Sequence, residues 1–222
     1  MKFDRKIYFD TVRPMFGSLA QEQVDGQNYL LDFFETTDLS DLRYQAYMLA
    51  TTKHETASTM LPIEEYEKGK GKEYGQPHPD TGQCYYGRGD VQLTWYDNYL
   101  YAEQKLKLSG AKSLVEFPEN ALDPKIAAMI MDRGMREGWF RKGYNLAAFF
   151  NDKVDDPYSA REIINGDKHV IPKWSGGVNI GTIIADYHEV FLDALTKSLT
   201  KTEAVIRISV PRGMKVEVTE YD

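Results

Sequence analysis

"SDLRYQAYMLATTKHE", residues 40–55, decides how the rest of the chain is read. Leu42, Ala46, Leu49 and Ala50 fall on one helical stripe, and Tyr44, Met48 and Thr51 on a second that leads on to Glu55. Ser40 is placed to cap this helix. A helix that is apolar on two sides is mostly buried. Its last residue is a glutamate, and a charge at the end of a buried helix is costly unless it serves a purpose. The chain then continues "TASTMLPIEEYE" (56–67), adding Glu64, Glu65 and Glu67 within a few residues. Acidic runs are more often solvated faces than active groups, so the remaining sequence has to decide between the two.

Working outward, "QEQVDGQNYLLDFFE" (21–35) has helical periodicity through Val24, Tyr29, Leu31 and Phe34. Residues 67–83, rich in Gly, Lys and Pro, read as a loop. In "CYYGRGDVQLTWYDNY" (84–99), Val91, Leu93 and Trp95 alternate with polar residues, which suggests a short extended piece leading into a helix from about Tyr96. Asp123-Pro124 and Asp156-Pro157 each pair a cap with a first-turn proline, and the second helix should stop at Asn165-Gly166. A long helix is expected from Val178 to Leu199. Then the period changes: "AVIRISVPRGMKVEVTEYD" (204–222) alternates around Pro211-Arg212-Gly213, a β-hairpin pattern. The expected architecture is mainly α over residues 1–200, with a C-terminal β-hairpin appendage over 201–222.

The 222 residues suit one domain with a real core, and 42% hydrophobic with 27% charged residues is ordinary for a globular protein. A formal charge of -7 argues against nucleic acid as a partner, which needs clustered Lys and Arg. The single cysteine, Cys84, excludes an intrachain disulfide. The N-terminus has no apolar leader and no long apolar run occurs, so no membrane insertion is expected. The expectation is a protein made in the cytoplasm, released to its substrate by another factor or carried in a virion.

The four histidines are scattered, and His54-Glu55 lacks the second histidine that a zinc-protease helix needs, so no metal and no cofactor are expected. No nucleophile elbow is present. Paired carboxylates remain. Glycosidic cleavage needs one carboxyl held protonated as general acid and a second ionised as base or nucleophile. Glu55, at a buried helix end, suits the acid. Glu64, Glu65 and Glu67 are the candidates for its partner.

"HETA", "TMLPIEEY", "YYGRGDVQLTWYDNY" and "IING" together resemble family 19 of the glycoside hydrolases, the plant-type chitinases and related phage and bacterial endolysins. The resemblance runs from about Arg43 to Gly166 and implies a lysozyme-like helical domain with a cleft. On it, Glu55 matches the general acid, and Glu65 is the first choice for the base that activates water, with Glu64 in reserve. Thr94 matches the hydroxyl that helps hold that water. Gln92, Asn98 and Asn165 match amides that line the sugar cleft, and amides pair well with an N-acetyl group. Tyr85, Tyr86 and Trp95 offer flat faces to sugar rings, and Arg88 could hold a carboxylate in place or simply satisfy a loop carbonyl.

Some residues depart from the plant-type pattern. Thr-Ala-Ser-Thr follows His-Glu in place of Thr-Thr-Gly-Gly, no disulfide can form, and Asp167 replaces a glycine after Asn165-Gly166. These move the chain toward the endolysin branch. The expected activity is hydrolysis of β-1,4 bonds next to N-acetylated sugars in peptidoglycan, by an inverting two-carboxylate mechanism. A chitinase acting on chitooligosaccharides and an inactive sugar-binding module are the alternatives. The sequence sets no oligomeric state.

Overall fold

The computed structural model describes residues 1–200, so the expected hairpin at 201–222 lies outside the described residues. The described part is mainly helical. The helices are α1 (Arg5–Phe16), α2 (Gln21–Thr36), α3 (Leu42–Glu55), α4 (Tyr96–Leu106), α5 (Pro124–Glu137), α6 (Leu146–Phe149) and α7 (Ile180–Ser198).

α3 is the axis of the domain. Every residue from Gln45 to Lys53 is buried, as its two apolar stripes require. The residue that caps it is Asp41, not Ser40. Its carboxylate accepts from the Arg43 amide at 2.9 Å and also pairs with the Arg43 guanidinium at 2.7 Å, two bonds that a serine could not both provide. α7 lies along α3 and α1, and its Asn179 caps it by accepting from the Thr182 amide. The strands β1 (Ile63–Glu64) and β2 (Arg88–Gly89) pair antiparallel, Ile63 opposite Gly89 and Glu64 opposite Arg88.

α1 has no counterpart in the sequence reading. It is capped by Asp4, which accepts from the Ile7 amide at 3.0 Å, and it buries Tyr8 and Val12. Ile7, Tyr8, Phe9, Val12, Met15 and Phe16 are its apolar residues, and α7 packs against it. The chain closes beside it: Phe3 bridges Leu199 antiparallel, the Asp4 amide donates to the Ser198 carbonyl at 2.7 Å, and the Thr200 amide donates to the Lys2 carbonyl at 2.8 Å.

Three further expectations are corrected. The buried face of α2 runs through Gly26, Gln27, Leu30, Leu31 and Phe34, whereas Val24 and Tyr29 are only partly covered. Gln27 can enter the core because Tyr8 donates to its side-chain oxygen and its amide donates to the Gln23 carbonyl. Gly26 is needed there, since a Cβ would sit 2.2 Å from the Met60 carbonyl oxygen. After Asp156-Pro157 the chain forms a 3₁₀ turn over Ser159–Ile163 in place of an α-helix. It stops because the Asn165 side chain accepts from the Gly166 amide at 2.8 Å, with no left-handed glycine. Finally, the extended piece in the Gly-Arg-Gly motif is only two residues long. Arg88 and Leu93 exchange backbone bonds across a tight turn, with Gln92 at φ 52° and Trp95 at φ 78°. That turn breaks the alternation, so Val91 and Leu93 are buried while Trp95 is 46% exposed.

Candidate active site

The end of α3, the residue after β1, the turn after β2 and the start of α4 converge on an open cavity of about 570 Å³. Of the residues singled out from the sequence, Glu55, Glu65, Gln92, Thr94, Trp95, Asn98 and Asn165 line it. Tyr74, Phe140 and Ile164 line it as well.

Glu55 arrives on the last turn of α3 with its side chain 14% exposed. Its Oε1 accepts from Nη1 of Arg161, and Arg161 grips Asp167 with its other nitrogens, Nε at 2.6 Å and Nη2 at 3.0 Å. Arg161 is itself buried, so the guanidinium is compensated by two carboxylates at once, as a buried charge requires. Burial works against the Asp167 anion, but hydrogen bonds from Arg161 outweigh it and hold that carboxyl below its ordinary range. Glu55 Oε2 accepts no bond among the described residues, which leaves it for the cavity. Burial also lowers the pKa of neighbouring His54, so its ring is neutral at neutral pH.

Glu65 follows β1. Its amide donates to the Gly87 carbonyl at 2.7 Å, and its carboxylate accepts from the Gly87 amide and from Tyr74 Oη, each at 3.2 Å. Glu64, one residue earlier, points to the other side, as alternation along an extended chain dictates. There it accepts from Tyr86 Oη at 2.6 Å and from Lys68 at 2.7 Å, and both bonds hold its carboxyl below its ordinary range. Arg88 joins that group. Its guanidinium lies 3.6 Å from the Tyr86 ring centroid and donates to Tyr99 and to the Cys84 carbonyl. Tyr86 was expected against a sugar ring, Glu64 was held in reserve as the base, and Arg88 was expected to hold a carboxylate or a loop carbonyl. The structure spends them on one another, away from the cavity, bracing the hairpin from behind.

Thr94 donates its hydroxyl proton to the Gln92 carbonyl at 2.8 Å, leaving its lone pairs to accept. The Gln92 amide donates to the Ile63 and Gly89 carbonyls, and the Asn98 amide donates to the Thr94 carbonyl. Neither side-chain oxygen, Gln92 Oε1 or Asn98 Oδ1, accepts a bond among the described residues. Asn165 differs, because its amide group is taken up by Asp167 and by the Gly166 amide. Beneath this loop lies Asp90, fully buried, with Tyr29 Oη donating to Oδ1; burial pushes the Asp90 carboxyl up to about 7.

Sequence reasoning missed an aromatic recess of about 290 Å³ that shares Tyr74 and Trp95 with the main cavity. Tyr74, His78 and Tyr96 shape it, with His78 stacked on Tyr96 at 4.0 Å. The loop over 67–83 supplies two of the three, and the only signal was an isolated tyrosine and histidine in a stretch read as a loop. Among the described residues no cluster of three or more His, Cys, Asp or Glu could hold a metal ion, and no helix is long and apolar enough to cross a membrane.

Helices wrapped around one buried helix, with a short hairpin and two carboxylates opening into a common cleft, make a lysozyme-like helical fold. Chitinase C shares this fold. Chitinase C from Streptomyces griseus superposes with a TM-score of 0.54 at 18% identity, over 90% of this chain and 79% of that one. A mutant of chitinase C gives 0.51 at 17% identity, over 89% and 95%. A bacterial family 19 chitinase gives 0.47 at 20% identity, over 87% and 94%. No protein-family model matches the sequence, and no curated protein does.

Proposed function

We infer that the protein is a cell-wall glycosidase that cuts β-1,4 bonds next to N-acetylated sugars in peptidoglycan, with inversion at the anomeric carbon. The observation that carries this reading is that Glu55, from a helix end, and Glu65, from a separate strand-borne loop, open into one cavity. Glu55 Oε2 serves as the proton donor to the glycosidic oxygen while Arg161 holds Oε1. Glu65 takes one proton from the attacking water, and Thr94 Oγ1 accepts a hydrogen bond from the O–H that remains. Separate elements suit the wide carboxyl spacing, about 6.5–9.5 Å, that leaves room for this water. The free oxygens of Gln92 and Asn98 accept from the N–H of an acetamido group, and Trp95 offers its exposed face to a sugar ring.

The second reading, hydrolysis of chitooligosaccharides, draws on the chitinases that share the fold. Both readings require the same chemistry and differ in substrate. Mass spectrometry of fragments released from purified peptidoglycan, with chitohexaose run in parallel, separates them. Cleavage at an amide or peptide bond overturns both.

A further inference from the structure

Next to Glu55 on α3, Lys53 and His54 face a second recess of about 220 Å³, completed by Ala57, Ser58, Trp174 and Tyr187. This lining contains a cation and no acid. Lys53 is only 5% exposed, yet it makes no ion pair among the described residues. Its Nζ donates to Ser58 Oγ at 2.9 Å and lies 4.3 Å and 4.6 Å from the ring centroids of Phe16 and Tyr187. Burying an ammonium without a counter-charge is unfavourable. Burial lowers Lys53 to about 8, which still leaves it a cation at neutral pH, whereas the adjacent His54 is neutral.

The turn that brings Ser58 to Lys53 is strained. Ala57 and Ser58 are consecutive non-glycine residues at φ 49° and 67°. It is clamped by the Ser58 amide donating to the Lys53 carbonyl at 2.8 Å and by Gln23 donating to the Ser58 carbonyl at 2.9 Å. Strain of this kind persists only where the surroundings enforce it, and it gathers at ligand clamps. Ser58 Oγ accepts from Lys53 and donates to none of the described residues, so its proton is free for a ligand. Trp174, 67% exposed, stands at the rim.

We propose that this recess is a carboxylate subsite, occupied by the free acid group of a peptide attached to the glycan in the cleft. Lys53 Nζ donates to one carboxylate oxygen, Ser58 Oγ donates to the other, and the Trp174 ring covers the planar peptide groups. The ammonium has three donors, of which Ser58 uses one. The proposal rests on peptidoglycan as the substrate, because chitin carries no carboxylate.

The test titrates a stem tripeptide with free carboxylates into the full chain while the indole N–H of Trp174, assigned with Trp174→Phe, is followed by NMR. The carboxamide form of the peptide and sodium acetate are run beside it. The acid peptide should shift the resonance and its carboxamide should not. Lys53→Met and Ser58→Ala should each weaken binding, the first about tenfold or more. Equal affinity for acetate and peptide overturns the claim in favour of a general anion site, and no shift with either overturns it outright. In turnover, Lys53→Met should lower the ratio of kcat/KM on peptidoglycan to that on the same glycan stripped of its peptides about tenfold. An unchanged ratio overturns the subsite. A wild-type protein that releases nothing from peptidoglycan overturns the substrate reading instead, and peptide binding then still decides whether the recess takes a carboxylate.

Discussion

Arg161 reaches Glu55 from a 3₁₀ turn 106 residues further along the chain and donates to its Oε1. The guanidinium thereby fixes which oxygen of Glu55 remains for the cleft. Arg161→Gln removes one partner of a buried ion pair, and such changes cost about 3–5 kcal/mol. Denaturant unfolding should show that loss. Asp167→Asn, which leaves the Glu55 contact in place, should cost clearly less.

The two carboxylates of the cleft separate from their neighbour by mutation. Glu55→Gln and Glu65→Gln should each reduce hydrolysis by about 10²–10⁴-fold with the fold intact. Glu64→Gln should leave turnover within a few-fold and instead lower the unfolding midpoint, because it weakens the contacts to Lys68 and Arg88. Initial rates and thermal melts of the three variants check this. A severe loss confined to Glu64→Gln would falsify the assignment of the base.

Single displacement has a stereochemical signature. The first product from a β-linked substrate should carry a reducing end in the α configuration, read by proton NMR within the first turnovers. Thr94→Val should lower kcat while leaving KM nearly unchanged, because in the proposed mechanism the hydroxyl assists water and not sugar. An early β-anomer points to a covalent intermediate on the second carboxylate.

Asp90 ties stability to pH. Its folded carboxyl titrates at about 7, against 3.8 for the free side chain. The folded state therefore keeps a proton that the unfolded chain loses, and its stabilising contribution is full below about pH 4 and gone above about pH 7. The range corresponds to on the order of 4 kcal/mol at most. Asp90→Asn, neutral at every pH, should flatten the decline, with its largest gain over wild type near pH 8. Unfolding midpoints from pH 4.5 to 8 test this, and a gain that is independent of pH excludes Asp90 as the cause.

The sequence exposed the helical core because burial leaves a periodic trace: α3 and α7 each show it, and Asp123 before Pro124 marks the start of α5 directly. Glu55 and the Gly-Arg-Gly turn were legible for the same reason, with the turn carrying its own local chemistry. What could not be read is what depends on partners far along the chain. Tyr86 and Arg88 look like ligands in a motif, and only the fold reveals that Glu64 and Tyr99 occupy them. Arg161 sits in an unremarkable "SAREI" stretch, and nothing local says that it reaches Glu55. Likewise Lys53 reads as a helix-end lysine until Phe16 and Tyr187 close around it.

The bridge between Phe3 and Leu199 has a consequence for synthesis. α1 leaves the ribosome well before α7, yet the surface that covers Tyr8 and Val12 includes α7. At roughly 5–20 residues per second, that delay is on the order of ten seconds or more. During it the nascent chain holds an unpaired amphipathic segment, and contacts between such distant residues form slowly. A ribosome stalled before codon 180 should therefore display an α1 open to protease, and one released past codon 200 should not.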